Sequence, residues 1–329
     1  MKAILINDDR TLSWADVPDA VPGDDEVLVE VAYAGVNRAD LMQRAGNYPP
    51  PEGCPPWMGL EIAGTIRALG PAARERCPYR EGDTVCALLG GGGYAQYAAV
   101  RWDMLLPVPD GYTLAEAAGL PEVYCTAYLN LFYEGRAKSG ETLLMAAGAS
   151  GLASAVIPLA KSYGLRVLTT VRRDAQVAAI AYLGADRIIN TRTENLADVL
   201  REELDAGTPV NLAIDCIGGE EMGACLPYLA HGGRWIMIAA LGGNLTTVDL
   251  KNLYVRGIRL IGSTLRSRPP AFKADLIARV AREVFPKLKS ELPRMALKTL
   301  PITRAADAHE LLTRGGNVGK VVLQVKGEE

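Results

Sequence analysis

The sequence predicts an α/β fold in which a doubly wound parallel sheet is inserted into a β-rich domain. The first observation is an apolar, strand-like run at 142–147 that leads through small residues into a helix opening at Ser154. The second is a series of further apolar runs separated by helix-like segments, which is typical of βαβ units. The third is a set of short alternating runs within the first 100 residues, with one more apolar run near the end of the chain. A β-rich domain interrupted by a parallel sheet accounts for all three.

Strand-like runs in the middle of the chain define the predicted parallel sheet. These runs are 142–147, 165–171, 187–190, 211–217, 234–240 and 259–264. Helical patterning begins near Thr113, so we expect the parallel-sheet domain to cover 121–265. The β-rich domain is expected at 1–120 plus 266–329, with an amphipathic helix at 273–285 and a closing strand at 321–325.

The turn after the first of these strands resembles a dinucleotide-binding fingerprint. Its residues are Gly148, Ser150, Gly151, Leu152 and Ala153; Ser150 and Ala153 stand where the G-x-G-x-x-G pattern has glycine, and alanine is allowed at the last position. A pyrophosphate is stabilised at such a helix N-terminus by unpaired backbone N–H groups and the helix dipole. The pattern therefore predicts a Rossmann-type cofactor site. The alternative is a packing turn in an α/β domain that binds no nucleotide.

The end of the second strand indicates which dinucleotide is bound. An NAD-binding unit carries a carboxylate there to accept from the ribose 2′-OH, but this chain has Arg172 and Arg173, 24 and 25 positions after Gly148. Arginine can bind a 2′-phosphate through paired N–H groups. We therefore expect the cofactor to be NADPH.

Composition excludes several classes of function. The 329 residues are 49% hydrophobic with a net charge of −3, and no run of lysine and arginine suggests a nucleic-acid partner. The six cysteines lack C-x-x-C spacing, and residues 1–10 contain no signal-peptide apolar region. No apolar run is long enough to cross a membrane. We therefore expect a reduced, cytoplasmic protein.

Motifs spread over nearly the whole chain resemble a known family. They are Asn37-Arg-Ala-Asp-Leu-Met-Gln-Arg44, Gly46-Asn-Tyr-Pro-Pro50, Gly59-Leu-Glu61, Gly92-Gly-Tyr-Ala-Gln-Tyr97, Pro121-Glu122, Asp215-Cys-Ile-Gly-Gly219, Leu265-Arg-Ser-Arg268 and Asn317-Val-Gly-Lys320. The chain is similar to the zinc-free quinone oxidoreductases of the medium-chain dehydrogenase/reductase superfamily, above all to their tumour-suppressor-inducible branch. The resemblance implies a GroES-like β-rich catalytic domain around the Rossmann-type domain.

The resemblance also implies further cofactor contacts. By position, Thr126 is expected beside the nicotinamide and residues 150–153 beside the pyrophosphate. The remaining positions expected around the nicotinamide and ribose are Ile217, Leu241, Gly242, Thr264, Leu265, Arg266 and Asn317. Related enzymes often have a serine and then a lysine after the second strand, where this chain has Arg172 and Asp174. The 2′-phosphate site is therefore expected to be built around arginine.

The zinc alcohol dehydrogenases of the same superfamily provide a contrast. Their cysteine, histidine and cysteine ligands match Asn37, Leu60 and Glu122 here, and Ala39 replaces the hydroxyl that relays the alcohol proton. Leucine cannot bind zinc, and an amide with one carboxylate does not form a tetrahedral N/S site. The two histidines, His231 and His309, are expected at the surface or at a helix end. No bound metal is expected.

Without a metal, the acceptor must be electrophilic by itself, as a quinone or an enone is. The expected substrate is therefore a small, planar quinone or enone, with Tyr48 and Asn37 as candidate hydrogen-bond donors. Tyr48 has an alternative role in packing against the neighbouring prolines, and Asn37 with Asp40 could instead cap a helix. Glu122 could be a proton donor or the partner in a structural hydrogen bond.

Two other functions stay open at this stage. One is reduction of an enoyl thioester or another biosynthetic enone, and the other is nucleotide sensing or RNA binding without catalysis. The run 259–264 is expected to be the last strand of an open sheet, and an apolar edge of this kind is a liability for aggregation. Pairing of this edge with a second copy would cover it, so we expect a homodimer joined through the Rossmann-type domain.

Overall fold

The computed structural model describes residues 1–327, which form two compact units. The first unit comprises Met1–Cys125, Arg266–Ser290 and Met295 onward, and the second comprises Thr126–Leu265 and Glu291–Arg294. A parallel sheet lies in the second unit and a mostly antiparallel sheet in the first, which confirms the predicted α/β fold class.

The strands and helices follow one another in the order of the two units. The strands are β1 (Lys2–Ile6), β2 (Leu12–Asp16), β3 (Glu26–Val36), β4 (Glu61–Leu69), β5 (Thr84–Leu88), β6 (Tyr97–Arg101), β7 (Leu105–Pro107), β8 (Thr142–Met145), β9 (Arg166–Val171), β10 (Arg187–Asn190), β11 (Val210–Asp215), β12 (Leu229–Met237), β13 (Arg259–Gly262), β14 (Leu297–Pro301) and β15 (Lys320–Gln324). The helices are α1 (Arg38–Arg44), α2 (Pro71–Arg76), α3 (Leu114–Ala117), α4 (Pro121–Tyr128), α5 (Gly151–Ser162), α6 (Asp174–Ile180), α7 (Leu196–Asp205), α8 (Gly219–Cys225), α9 (Leu250–Arg256), α10 (Pro270–Glu283) and α11 (Ala305–Arg314).

The second unit is built on a parallel sheet of order β10-β9-β8-β11-β12-β13. The chain runs outward from β8 through β9 to β10, then returns to β11 and runs outward on the other side. The strand order therefore reverses between β8 and β11, at the point where open α/β sheets bind ligands beyond the carboxyl ends of their strands. Buried leucine, isoleucine and valine side chains on these strands pack against the helices that cover the sheet.

The first unit is built on a sheet of order β14-β15-β3-β4-β5-β7, with β6 also paired to β3. The long strand β3 pairs antiparallel with β4, β6 and β15, because its alternating residues bury one face. The final strand β15 lies between β3 and β14, so residues near the end of the chain sit beside residues near its start.

The predicted elements are present, with shifted ends. The helix expected to open at Ser154 begins at Gly151, because the Ser150 hydroxyl accepts from the backbone N–H of Ala153 and caps the helix there. The helix expected at 273–285 is α10, which begins at Pro270, where proline needs no N–H partner. None of the helices within residues 1–327 has the length and apolar character needed to span a bilayer.

Candidate functional site

The predicted cofactor residues of the second unit follow the carboxyl ends of its parallel strands. Gly148 to Ala153 follow β8, Arg172 and Arg173 follow β9, and Ile217 follows β11. Leu241 and Gly242 follow β12, and the exposed Thr264 and buried Leu265 follow β13. Because these strands are parallel, the sheet brings all of these segments to one edge.

The turn after β8 requires a glycine at position 148. A Cβ there would lie 2.4 Å from Thr169 Oγ1 and 2.9 Å from Ile180 Cδ1. The Gly148 N–H donates to Thr170 O at 2.7 Å, which fixes the turn to the neighbouring strand β9. Since Ser150 takes the N–H of Ala153, the first-turn N–H groups of Gly151 and Leu152 are left for a ligand.

The end of β9 presents two exposed arginines, Arg172 and Arg173. Asp174, the acidic residue beside them, accepts from Asn190 Nδ2 at 2.6 Å, so its carboxylate is held by the end of β10. Burial, with the charge of Asp215 as the next cause, raises the pKa of Glu221, and the nearby Arg172 opposes this rise. This part of the second unit therefore offers two guanidinium groups to an anion.

Two loops at the same edge are tied to each other. Gly242 N donates to Ile217 O at 2.7 Å, and Leu241 N donates to Cys216 O at 3.0 Å. The buried carboxylate of Asp215 accepts from the backbone N–H groups of Ile217 and Gly218 and from Trp235 Nε1. These bonds fix the loop that carries Ile217, so the backbone there is preorganised.

The other residues predicted near the cofactor fall in different places. Thr126 lies on α4 and begins the second unit, and its carbonyl accepts from Asn130 Nδ2 at 2.8 Å. Asn317 and Arg266 belong to the first unit. Asn317 Nδ2 donates to Gly319 O at 3.0 Å in the loop before β15.

In the first unit, Asn37 and Asp40 share the start of α1. Asp40 Oδ2 accepts from Asn37 N at 2.8 Å, and its other oxygen accepts from Gly59 N at 3.0 Å. Burial raises the pKa of Asp40 to about 6, although both backbone N–H groups and the charge of Lys320 favour its ionised form. The capping role expected of this pair is thus performed by Asp40, while the Asn37 carboxamide bonds elsewhere.

The Asn37 carboxamide belongs to a buried group of polar side chains. Its Oδ1 accepts from Lys320 Nζ at 2.6 Å and its Nδ2 donates to Glu61 Oε1 at 2.9 Å. Lys320 and Glu61 also form an ion pair, with side chains only 3% and 0% exposed. We call Asn37, Glu61 and Lys320 the amide cluster.

Glu122 lies beside the amide cluster. Its backbone N–H donates to Glu61 Oε2 at 2.9 Å, whereas its carboxyl has no hydrogen-bond partner within residues 1–327. Burial, with the charge of Glu61 as the next cause, raises the pKa of Glu122 to about 8. The carboxyl is therefore mostly protonated at neutral pH. Leu60, at the second matching zinc position, is buried and apolar.

Tyr48 is held by Arg266. The guanidinium carbon of Arg266 lies 5.0 Å from the centre of the Tyr48 ring, and Nη1 donates to Tyr48 O at 3.1 Å. Arg266 also donates to Gly90 O at 2.7 Å and to Gln43 Oε1 at 2.7 Å. Burial lowers the pKa of the Arg266 guanidinium and also that of Lys273. The tyrosine ring is therefore stacked against a cation, in addition to any packing on the neighbouring prolines.

The expectation for His309 is wrong. It was predicted at the surface or at a helix end, but it lies within α11 and is only 2% exposed. Its Nε2 lies 3.5 Å from Tyr94 OH, which in turn donates to Asp40 Oδ2 at 3.2 Å. Burial, with the charge of Arg44 as a smaller cause, lowers the pKa of His309 to about 4, so the ring is neutral at physiological pH. His231 is exposed, as expected.

The residues present do not fit a metal site. Within residues 1–327, no three His, Cys, Asp or Glu side chains lie together in a way that could hold a metal ion. The groups of Asn37 and Glu61 that could ligate a cation already bond to the Lys320 ammonium. A metal at these atoms would have to displace that charge.

Sequence reasoning named Asn37, Tyr48 and Arg266, but it expected Arg266 beside the cofactor and missed the side chains that hold Asn37 and Arg266. Glu61 and Lys320 lie 24 and 283 positions from Asn37, and Gln43 was noted only as part of a motif. The motifs Gly59-Leu-Glu61 and Asn317-Val-Gly-Lys320 end on the two charged partners. The available signal for these partners was that each motif ends on a charged residue that follows small or apolar neighbours.

Family models match two parts of the chain. The alcohol dehydrogenase GroES-like domain matches residues 23–110, and the zinc-binding dehydrogenase domain matches residues 151–282. The first match lies within the first unit, and the second covers most of the Rossmann-type unit and continues through most of α10.

Similar proteins extend the match to nearly the full length. The quinone oxidoreductase of Mus musculus is 29% identical over 316 residues, which is 94% of this chain and 92% of the relative. The quinone oxidoreductase of Thermus thermophilus, whose structures include a complex with NADPH, is 30% identical over 99% of this chain and 100% of the other, with a TM-score of 0.82. A phenolphthiocerol/phthiocerol polyketide synthase of Mycobacterium tuberculosis is 28% identical over 95% of this chain but only 14% of its own length.

The chain belongs to the medium-chain dehydrogenase/reductase superfamily. This is a superfamily of oxidoreductases, and the resemblance to its quinone oxidoreductases is confirmed.

Proposed function

We propose that the protein is an NADPH-dependent reductase that transfers hydride to quinones and related α,β-unsaturated carbonyls without a metal. Its relatives support this proposal, since they include quinone oxidoreductases and one of these was solved with NADPH.

The cofactor assignment is supported by the edge of the second unit's sheet. The free N–H groups of Gly151 and Leu152 suit a pyrophosphate, and Arg172 and Arg173 suit a 2′-phosphate. NADPH, when bound, supplies a hydride. On this proposal Thr126, Ile217, Leu241, Gly242, Thr264, Leu265, Arg266 and Asn317 are further cofactor contacts.

One observation carries the metal-free part of the proposal. The Lys320 ammonium is bonded to oxygen atoms of Asn37 and Glu61 that a metal ion would need as ligands. The apolar side chain of Leu60 cannot act as a ligand. With no Lewis acid at these positions, the acceptor has to delocalise the developing negative charge itself. Quinones and enones do so through their conjugated π-systems.

In this proposal the first unit binds and orients the acceptor. Arg266 holds Tyr48, whose hydroxyl donates to one acceptor oxygen, and the Asn37 amide donates to another. These are neutral donors, so they position the acceptor and stabilise charge but transfer no proton in the hydride step. Water protonates the reduced product.

The decisive experiment is NADPH oxidation measured against a panel of benzoquinone, naphthoquinone, enones and an enoyl thioester, with NADH in parallel. We expect turnover of quinones and simple enones, with preference for NADPH. No turnover of any acceptor would favour the non-catalytic, nucleotide-sensing alternative and overturn the proposal.

The polyketide synthase match favours a second candidate, reduction of an enoyl thioester. Nearly all of this chain, 95% of its length, aligns with one segment of that much longer protein. Turnover of the enoyl thioester with a kcat/KM well above that of every quinone would establish this second candidate in place of the first.

Metal independence is tested separately. Elemental analysis should find far less than one zinc per chain, and a chelator should leave the activity unchanged. Loss of activity on chelation, restored by added zinc, would contradict the metal-free assignment.

A homodimer joined through the second unit is also part of the proposal. Strand β13 lies at the edge of the parallel sheet, and Leu260, Tyr254 and Val255 beside it are exposed. An unpaired apolar edge invites pairing with another strand, and a two-fold axis closes the contact. Light scattering at micromolar concentration should give the mass of two chains; a single-chain mass would reject the dimer.

A further inference from the structure

Lys320 places a cation in the interior of the first unit. Its side chain is 3% exposed, and its ammonium is bonded to Asn37 Oδ1 and Glu61. Burying and ordering such a group is costly, and a buried ion pair is weak evidence for a stabilising role. The arrangement therefore points to a role in the site.

Two glycines leave room for this ion pair. A Cβ at Gly35 would lie 2.3 Å from Glu61 Oε1, and a Cβ at Gly119 would lie 2.8 Å from Lys320 Cγ. Neither glycine has a positive φ, so neither is required by its backbone conformation. A glycine beside each member of the ion pair therefore provides the space that its side chain occupies.

The ion pair fixes which way the Asn37 carboxamide faces. A flipped amide would place Oδ1 against the Glu61 carboxylate and Nδ2 against the Lys320 ammonium, and both contacts are repulsive. In the observed orientation, one Nδ2–H bonds to Glu61 and the other has no acceptor within residues 1–327. Asn37 is partly exposed, so a ligand can reach this second N–H.

We infer that Lys320 is a positioning residue: with Glu61 it locks the Asn37 amide so that one N–H donates to the carbonyl oxygen of the acceptor as negative charge develops there. The ammonium also withdraws electron density through Oδ1, which makes the free N–H a stronger donor. The inference rests on the proposed function for the identity of the acceptor.

Three variants test this role. Lys320→Met with Glu61→Gln makes the pair neutral, so neither member of the pair is left as an unpaired buried charge, and Asp40 keeps its two backbone N–H donors. Gly119→Ala keeps every charge but pushes against Lys320 Cγ. Lys326→Met is the matched control, because Lys326 forms an exposed ion pair with Glu30 at 3.1 Å. Each is assayed for kcat, for the KM of naphthoquinone and NADPH, and for thermal unfolding.

A second readout needs no turnover. 4-Nitrophenol is a planar phenol whose phenolate resembles the charged oxygen of a reduced acceptor, and its ionisation is visible in its absorption spectrum. A donor such as the Asn37 N–H favours the phenolate. The pKa of 4-nitrophenol bound to the wild-type protein should therefore be lower than its pKa when free in water.

The neutral double variant should unfold near the wild-type temperature. Its kcat should be about tenfold lower, with little change in the KM of NADPH, and the pKa of 4-nitrophenol bound to it should be higher than in the wild-type complex. Gly119→Ala should also lower kcat and raise the pKa of bound 4-nitrophenol. Lys326→Met should change neither quantity. If the wild type turns over no acceptor but the 4-nitrophenol shifts appear, the proposed function fails and the positioning role stands. The positioning role of Lys320 would be overturned if the double variant had the same kcat and the same pKa of bound 4-nitrophenol as the wild type. It would also be overturned if 4-nitrophenol did not bind.

Discussion

The two units differ in what their interiors contain. The second unit buries mainly apolar side chains, together with the carboxylates of Glu203 and Asp215. The groups that we propose for cofactor binding there are backbone N–H groups and exposed arginines at the edge of the sheet. The first unit buries the charged side chains of Asp40, Glu61, Lys320 and Arg266 within its core. Among the residues that the structure describes, the second unit buries carboxylates but no lysine or arginine, whereas the first unit orients the Asn37 amide with a buried ion pair that includes the Lys320 ammonium.

The strongest test of this difference compares two carboxylates. Glu61→Ala leaves Lys320 buried without its counter-ion and should destabilise the protein by about 3–5 kcal/mol. Glu203→Ala in the second unit should cost about 1 kcal/mol, because its partner Arg166 is 33% exposed and stays solvated. Urea unfolding of both variants measures the gap. Equal losses in the free energy of unfolding would contradict this expected difference between the two units.

The next test addresses the edge of the second unit. In the cofactor site that we propose, Arg172 makes a charge-assisted contact to the 2′-phosphate that is worth about 1.5–3 kcal/mol. Arg172→Asp should therefore raise the KM of NADPH roughly 10- to 100-fold while changing that of NADH little. Arg201→Asp, on the exposed side of α7, is the control for the change in net charge. Wild-type protein that uses NADH and NADPH equally well would refute the assignment.

A smaller effect concerns the pH dependence of stability in the first unit. The pKa of Glu122 rises from 4.5 to about 8 on folding, so between these values the unfolded chain releases a proton that the folded chain keeps. The wild type therefore loses stability as pH rises through this window. Glu122→Gln should be more stable than the wild type above pH 8, by about 1–2 kcal/mol, and equal to it near pH 4.5.

Glu52→Gln, at an exposed position of the same unit, is the control for Glu122→Gln. Thermal unfolding of both variants and of the wild type across this pH range makes the comparison. A constant difference between Glu122→Gln and the wild type at every pH would show that folding does not shift the pKa of this carboxyl.

The smallest expected effect is at Tyr48. Tyr48→Phe should lower the quinone kcat only several-fold, because one neutral hydroxyl contributes about 1 kcal/mol to a charge that the quinone already delocalises. A general acid would contribute roughly 10²–10⁴-fold. Steady-state kinetics at saturating NADPH separates the two roles, with Tyr182→Phe as an exposed control. A hundredfold loss with normal NADPH binding would identify Tyr48 as an acid.

The second unit was the easier one to predict from sequence. Its strands are continuous apolar runs, and Gly148 and Ser150 follow the first of them directly, so local pattern specifies both the strand and the turn. The position of the helix start was missed by three residues because the cap is Ser150 rather than a residue closer to Ser154.

The amide cluster could not be predicted in the same way. Asn37, Glu61 and Lys320 meet only because β15 inserts beside β3, and no local pattern encodes contacts between residues so distant in sequence. His309 shows the same limit, since a lone histidine within an amphipathic helix carries no sign that Tyr94 and Asp40 lie beside it. Asn37 itself was predicted as a donor or a cap, and its role in the reaction stays a prediction.

The insertion of β15 beside β3 also sets an order for protein synthesis. Glu61 leaves the ribosome long before Lys320, and nearly 260 residues, including the whole parallel sheet, are made between them. The second unit can complete its sheet during translation, while the first unit lacks the cation for Glu61 until the last strand emerges. A chain that stops before residue 320 therefore has all the strands of the parallel sheet but lacks the cation that neutralises Glu61 in the first unit.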